Sequence, residues 1–492
     1  MLTDIKTILL DTSKYQNDQL ITIKCKINKG MNYFNISSTS RKYSEEARDR
    51  INSAFNFFNL KFPYGNIKIQ SSINEFNDKT KIYDMAIALS ILENQGYIDN
   101  SYDGLFLGEI NFNGEFLELE NPYRIVKFAL ENKIKKLYIP YGDYGVYFYH
   151  KDIEIIFIKD LRELIHKLKN NVGQEDVDIK EEDRNTFRDS QIDINDVIDQ
   201  AALVRALLIS IAGKHHILIK GAIGSGKTMT LQAIKNLMPG LDYKGKLIAS
   251  NLYSSHFNDQ IPILYHSLVE AKSDLTLSKL VGNKNKYGIV SLINYSSFLL
   301  DEINQYPKNI LTTIKLLMDN NSKGVTYIDS PVAFNIIGLM NPCPCGNLGT
   351  NTKCTCSPGE ITRHNNKIDQ SMLDRFQIKL SVNLPKYLSP KKEKYDIEEV
   401  KEAINKCIDK QIDRYGSNEK YNGNINSKDI NEYIHLNDQS KEYLESLLKT
   451  NEYSRRSIDN IIKVARTIAD IENIEDIEIH HVYEAMAYQR FW

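Results

Sequence analysis

The sequence predicts an α/β fold in three parts, from three observations. A glycine-rich loop, Gly221-Ala-Ile-Gly-Ser-Gly-Lys-Thr228, separates an apolar strand from a helical pattern. This is the strand–loop–helix order of a phosphate-binding unit. Ahead of it, period-two apolar runs alternate with runs spaced three and four, as in a mixed α/β layer. From about residue 387 onward the spacing is mostly helical.

Length and composition bound the rest. At roughly 150 residues per domain, 492 residues suggest about three domains. Hydrophobic residues make up 42% and charged residues 26%, a balance that excludes global disorder. No apolar run approaches the roughly 18–20 residues of a membrane span. The N-terminus, MLTDIKTILLDTSKYQ, has early acidic residues and no cleavage pattern, so a cytoplasmic location is expected. With 62 basic and 64 acidic side chains, net charge is −2. Bulk charge therefore announces no nucleic-acid partner. Such a partner would have to meet a local basic surface, on one chain or formed by assembly.

Residues 1–168 read as a mixed α/β domain. Ile21 to Ile27 alternates with period two, as does Asn66 to Gln70. Between them, Ala47, Ile51, Ala54, Phe55 and Phe58 mark the apolar face of a helix over 44–58. Further helices are expected over 84–93 and 123–132, and Lys136 to Pro140 reads as a strand stopped by its proline. Residues 169–190 are acidic and poor in apolar side chains, which predicts a solvated linker. Residues 191–386 form the nucleotide-binding core, and 387–492 a helical domain. The clearest helix of that last part is 457–471, where Ile458, Ile461, Ile462, Ala465, Ile468 and Ala469 form one stripe.

The chemistry is concentrated in the core. Gly221, Gly224 and Gly226 let backbone wrap a phosphate chain, and the N–H groups of the loop with Ser225 and the following helix start attract anions. Lys227 should reach the β- and γ-phosphates, and the Thr228 hydroxyl should hold Mg²⁺. Phe298-Leu-Leu-Asp301-Glu302 is an apolar strand ending in two carboxylates. There Asp301 would help place Mg²⁺ and Glu302 would polarise the attacking water. The next strand, Asn335 to Asn341, ends in an amide placed to orient that water with Glu302. Together these predict Mg²⁺-dependent ATP hydrolysis.

Four of the six cysteines cluster as Cys343-x-Cys345 and Cys354-x-Cys356. In a reducing compartment such a cluster points to a metal before disulfides. Four thiolates with glycine and proline in the turns suit structural Zn²⁺, with no open position for catalysis.

At these residues the sequence resembles a known family. Gly338-Leu-Met-Asn-Pro-Cys-Pro-Cys-Gly346, Met372-Leu-Asp-Arg-Phe376 and Arg456 with Val464 to Asp470 resemble the ComM/YifB group of magnesium-chelatase-like AAA+ ATPases. The likeness spans nearly the whole chain. It implies an AAA+ core, a helical lid and assembly into a homo-oligomeric, hexameric ring. It further implies that Arg375 is an arginine finger acting on the neighbouring subunit, that Arg456 is the sensor 2 arginine, and that Gln200, in Asp196 to Gln200, opens the domain near the adenine. Phe106-Leu-Gly-Glu109 and Tyr83 to Leu89 are similar to the group's Lon-protease-like domain, of ribosomal S5 type.

The dyad of a Lon protease is not expected here. Asp78-Lys-Thr-Lys-Ile82 contains no serine, and Tyr123 stands where a dyad lysine would fall. Thr80 with Lys81 is the residual pair, and the domain reads as a docking or oligomerisation module.

The group's members imply a DNA-handling ring motor for branch migration or helicase work in recombination or natural transformation. The alternative is a chelatase-like or protein-remodelling motor. A non-catalytic binding module is disfavoured by Lys227, Asp301 and Glu302 together. The chain departs from the group in reading Gly221-Ala-Ile-Gly224 for Gly-Pro-Pro-Gly, in an eroded His-rich segment at Leu264 to Ser267, and in a shortened hairpin around 323–333.

Overall fold

The structure is a computed structural model. It describes residues 4–10, 18–72, 80–98, 102–142, 152–173, 190–257, 262–271, 274–283, 286–319, 333–384, 394–449 and 453–489. Most of the expected linker and of the hairpin before the Asn335 strand falls outside these residues, as do Asp78 and Lys79. The chain divides into two compact units, Met1–Asp183 with Lys246–Pro262, and Arg184–Gly245 with Ile263–Trp492.

The first unit carries a seven-stranded sheet of β1 (Ile5–Leu9), β2 (Gln19–Asn28), β3 (Tyr33–Ile36), β4 (Asn66–Ser71), β5 (Leu105–Phe106), β6 (Lys136–Pro140) and β7 (Glu154–Ile158). Their order is β3-β4-β2-β1-β5-β6-β7. Helix α1 (Arg41–Phe57) starts three residues before the apolar spacing shows, because Ser40 caps it by accepting from the Tyr43 N–H. Its stripe Ala47, Ile51, Ala54 and Phe55 is fully buried, as the spacing predicts. Helix α2 (Asp84–Asn94) is buried on nearly every side. A buried charge needs a partner, and Asp84 has one in the fork of Arg50 (2.8 and 3.0 Å).

Helices α3 (Pro122–Glu131) and α4 (Leu161–Lys169) complete the N-terminal elements. Lys81 pairs with Glu109 at 3.1 Å, while Thr80 Oγ1 accepts from the Ile82 N–H. Among the described residues no hydrogen bond joins Thr80 to Lys81.

The second unit opens with α5 (Ala201–Gly213), β8 (Ile217–Gly221) and α6 (Lys227–Lys235). Helix α7 (Tyr243–Phe257) then leaves it, and its residues from Lys246 pack in the first unit. There Asn121, the N-cap of α3, donates to Asn251 Oδ1 at 2.9 Å and Ser255 Oγ at 3.0 Å. The sequence pattern gave no hint of this excursion, because α7 has no clean apolar stripe.

Next come β9 (Leu268–Ala271), α8 (Leu277–Val281), the short hairpin β10 (Gly282–Asn283) and β11 (Lys286–Tyr287), β12 (Ser297–Leu300), α9 (Lys308–Met318), β13 (Asn335–Met340), α10 (Pro358–Asn365), α11 (Gln370–Leu373) and β14 (Ile378–Val382). Five of the strands form one sheet in the order β14-β8-β13-β12-β9, with every pairing parallel. Parallel strands buried on both faces read as continuous apolar runs, and Phe298, Leu300, Ile336 and Leu218 are fully buried.

The lid follows as α12 (Ile397–Tyr415), α13 (Ser427–Tyr433), α14 (Asp438–Lys449), α15 (Arg455–Ile471) and α16 (Ile479–Ala487). Its expected stripe along α15 is buried, and the helix starts at Arg455 because Ser454 caps it through the Ser457 N–H. The completely buried Asp470 is held by Arg414 (2.6 and 2.8 Å) and Arg466 (3.1 Å). The lid is stitched to α5: Gln411 Nε2 donates to the Ala212 carbonyl at 2.9 Å, and Arg205 pairs with Glu472 and Glu484.

Candidate nucleotide site

In a parallel sheet of this kind the strand ends that point the same way make one working edge. The phosphate loop leaves the C-terminal end of β8, Asp301 and Glu302 leave β12, and Asn341 leaves β13, the strand between them. In register, Met340 lies beside Lys220, and Leu300 beside Gly338. The three predicted groups therefore share one edge.

The loop turns on Gly224 and Gly226, both with φ near +80°, a region that strains residues with a side chain. Gly226 is the N-cap of α6, so the free N–H groups of the first turn face the loop. Ser225 is buried and donates to the Ala222 carbonyl at 2.8 Å. Lys227 Nζ donates to the carbonyls of Gly221 (2.6 Å) and Ala222 (2.9 Å). Burial lowers its pKa, opposed by the nearby Asp301 and Glu302 carboxylates. Gln200 is buried beside the loop, its Nε2 donating to the Asn383 carbonyl just past β14 at 3.0 Å.

Glu302 is held in an unusual backbone state, with φ 49° and ψ 46°. For a residue with a side chain such a state costs of order 1–3 kcal/mol and clusters at functional sites. Its N–H donates to Asp301 Oδ1 at 2.9 Å, and its Oε1 accepts from Asn341 Nδ2 at 3.2 Å. The two predicted residues are thus joined directly by a hydrogen bond. Behind it stand two residues the sequence did not flag. His364 Nε2 lies 3.0 Å from the Asn341 carbonyl and 2.8 Å from Asn304 Nδ2. Burial lowers the His364 pKa, opposed by its contact with the Asn341 carbonyl. Nothing in local sequence marks it, because it comes from α10. Thr228 and Asp301 are exposed oxygen donors at the mouth of the site, the chemistry a hard cation such as Mg²⁺ selects.

The cysteine cluster adjoins this edge. Cys343, Cys345 and Cys354 Sγ atoms stand 3.5, 3.6 and 3.7 Å apart, and all four sulfurs lie within 4.8 Å of one another. Zn–S bonds of about 2.3 Å in a tetrahedron imply S···S edges of about 3.8 Å, so the four cysteines fit Zn²⁺. The Leu348 N–H donates to Cys343 Sγ at 3.3 Å. Backbone N–H groups of Asn347 and Thr355 hold the Cys345 thiol down at about 6. The knuckle also touches the phosphate loop, where the Ile223 N–H donates to the Gly346 carbonyl at 3.2 Å. Gly346 has φ +75°, a conformation that favours glycine, and a Cβ there would push against the tip of the Ile223 side chain, 2.3 Å away.

Arg375 and Arg456 are elsewhere. Arg375 lies three residues before β14, at the opposite end of the sheet from the loop, which is about 16 Å of strand away. There Arg375 Nε donates to Asp319 Oδ1 at 2.8 Å and Arg456 Nη2 to the same oxygen at 3.2 Å. The neighbouring Arg455 turns instead to Asp459 at 3.1 Å. The structure therefore brings together Lys227, Asp301, Glu302, Asn341 and Gln200 on one edge, and the two arginines on the other.

This sheet, loop and lid define a P-loop ATPase of AAA+ type. Comparison with known proteins agrees. The family descriptions "Magnesium chelatase, subunit ChlI", "Magnesium chelatase, subunit ChlI C-terminal" and "Subunit ChlI of Mg-chelatase" match residues 193–389, 395–489 and 23–143. The competence protein ComM of Haemophilus influenzae is 26% identical over 491 residues, covering 96% of this chain and 94% of that protein. The YifB proteins of Salmonella typhimurium and Escherichia coli K12 are each 25% identical, covering 95% of this chain and 94% of theirs. The chain belongs to the ComM/YifB group of magnesium-chelatase-like AAA+ ATPases, a family that implies ATP and Mg²⁺ and suggests oligomeric assembly. Among the described residues, no helix is long and apolar enough to cross a membrane.

Proposed function

We propose that this ATPase is a ring motor whose hydrolytic site is completed across a subunit boundary and whose substrate is DNA. The carrying observation is the separation of Arg375 and Arg456 from the phosphate loop of their own chain. An arginine that far away can meet a γ-phosphate only on a neighbouring protomer, where it stabilises transition-state charge. Repetition of that head-to-tail contact generates a ring if the rotation closes, and a hexamer is the size the family suggests.

Within the site, the loop amides and Lys227 grip the triphosphate. Mg²⁺ on Thr228 and Asp301 would neutralise charge on the β- and γ-oxygens. Glu302 takes a proton from the attacking water, and Asn341 fixes the carboxylate that does so. A Zn²⁺ ion on Cys343, Cys345, Cys354 and Cys356 would brace both the Asn341 turn and the phosphate loop. Metal analysis should find one zinc per chain, lost in a Cys345→Ser/Cys354→Ser variant. The N-terminal unit is read as a Lon-like module without a protease dyad, used for docking or assembly.

DNA is favoured as substrate by the likeness to the competence protein ComM over nearly the full chain. The discriminating experiment measures ATPase rate with single-stranded DNA, a four-way junction and no DNA, at two salt concentrations. Stimulation that weakens as salt rises supports a DNA motor. No stimulation at either salt overturns that reading in favour of a protein substrate, as in a chelatase-like motor.

A further inference from the structure

Asp319 stands between two arginines that no stretch of sequence connects. It is the C-cap of α9. Both carboxylate oxygens take Arg375, Oδ1 from Nε at 2.8 Å and Oδ2 from Nη2, while Arg456 Nη2 reaches Oδ1 at 3.2 Å. A second tie runs parallel, since Asn460, one turn along α15, donates Nδ2 to the Asp374 carbonyl at 3.0 Å. The groups line a polar cavity of about 460 Å³ that also holds Arg455, Asp459 and Lys463. Asp459 is taken by Arg455. Lys463 Nζ donates to the Ile425 carbonyl, so Asp319 is the carboxylate that takes both the Arg375 and the Arg456 guanidinium.

Two guanidiniums on one anion would otherwise repel one another. Arg375 presents its edge to Asp319 as a two-point fork, which fixes the plane of the group as well as its place. Its Nη1 is held by the Ser371 hydroxyl at 2.8 Å. Arg456 gives Asp319 a single N–H, so most of its fork is left for an incoming anion.

We propose that Asp319 is a positioning residue that yokes Arg375 to Arg456, so that the two reach the neighbouring protomer's γ-phosphate as one preset unit. This rests on the trans role proposed for both arginines. Asp319 touches no nucleotide itself. It keeps the two positive groups together until a phosphate supplies a second anion, and it links the turn before β14 to the lid helix α15.

The test is a double-mutant cycle on the full-length ATPase. Arg375→Ala, Arg456→Ala and the pair are made in the native background and again with Asp319→Asn. Kinetics, nucleotide affinity and thermal melting are measured for each. With Asp319 intact, the two arginine substitutions should be strongly non-additive, because either alone breaks the unit. Asp319→Asn should lower kcat about tenfold with KM for ATP and the melting temperature unchanged, and should make the arginine effects additive. Asp319→Glu should recover part of the rate.

Non-additivity that persists in Asp319→Asn, or a kcat equal to or above that of the native protein, overturns the yoke. If instead Arg375→Ala and Arg456→Ala leave turnover intact, the trans reading itself falls and takes the yoke with it. If the arginine variants lose turnover while Asp319→Asn does not, the yoke alone is wrong.

Discussion

At one end of the five-stranded sheet, strand ends deliver Lys227, Asp301, Glu302 and Asn341 to a single edge, each from a motif readable in a few consecutive residues. At the other end, Arg375 comes from a turn, Arg456 from a lid helix and Asp319 from a helix cap, and only the fold brings them together. The first edge carries the phosphate loop; the second holds its two arginines at the far end of the sheet from it. On the proposed reading, the difference teaches that one protomer carries two half-sites of opposite character, one that receives phosphate and one that stabilises charge on a neighbour's.

The largest expected effect tests that division directly. Lys227→Ala and Arg375→Ala should each lower kcat about 10³-fold. Mixed together, they should regain measurable turnover, because some boundaries then pair an intact loop with an intact arginine. Mixtures as dead as their components would break the comparison.

A smaller effect sharpens the first edge alone. Glu302→Gln should retain nucleotide affinity in a fluorescent-nucleotide titration while lowering turnover about 10²-fold. Turnover at the native rate would remove Glu302 from its role. His364→Ala should cost less, about tenfold in kcat, by loosening the Asn341 turn while leaving Arg375 mixing behaviour untouched.

The smallest effect concerns the second edge, where Lys214 precedes β8. Its Nζ is buried 2.8 Å from His266 Nδ1, near the Tyr421 ring. Burial lowers its pKa to about 7, against about 10.4 in an unfolded chain. Between those values the unfolded chain binds more protons, so this lysine makes stability rise with pH. Lys214→Met should therefore be more stable than the native protein below pH 7. That advantage should shrink to nothing near pH 10, as denaturant midpoints across pH will show. A pH-independent difference would mean that the lysine is not buried as described.

Particular residues show how far the sequence could be read. The phosphate loop was legible because its glycines and lysine must be consecutive for backbone to wrap an anion. Glu302 and Asn341 were legible because strands end where polar residues begin. The α15 stripe announced itself by period, yet its true start at Arg455 depended on the Ser454 cap. Helix α7 was invisible: it buries its residues in the first unit, so its pattern answers to a surface distant in sequence. His364 and Asp319 were equally silent, since each is one ordinary residue whose meaning lies in a partner on another element.

The sequence by itself determined the class of chemistry and the family, because phosphate binding and strand burial impose local patterns. Only the tertiary structure decided that Glu302 is strained and paired to Asn341, that the cysteine knuckle leans on the phosphate loop, and that both arginines converge on Asp319. Those facts depend on contacts between distant elements, and such contacts leave no periodicity along the chain from which to read them.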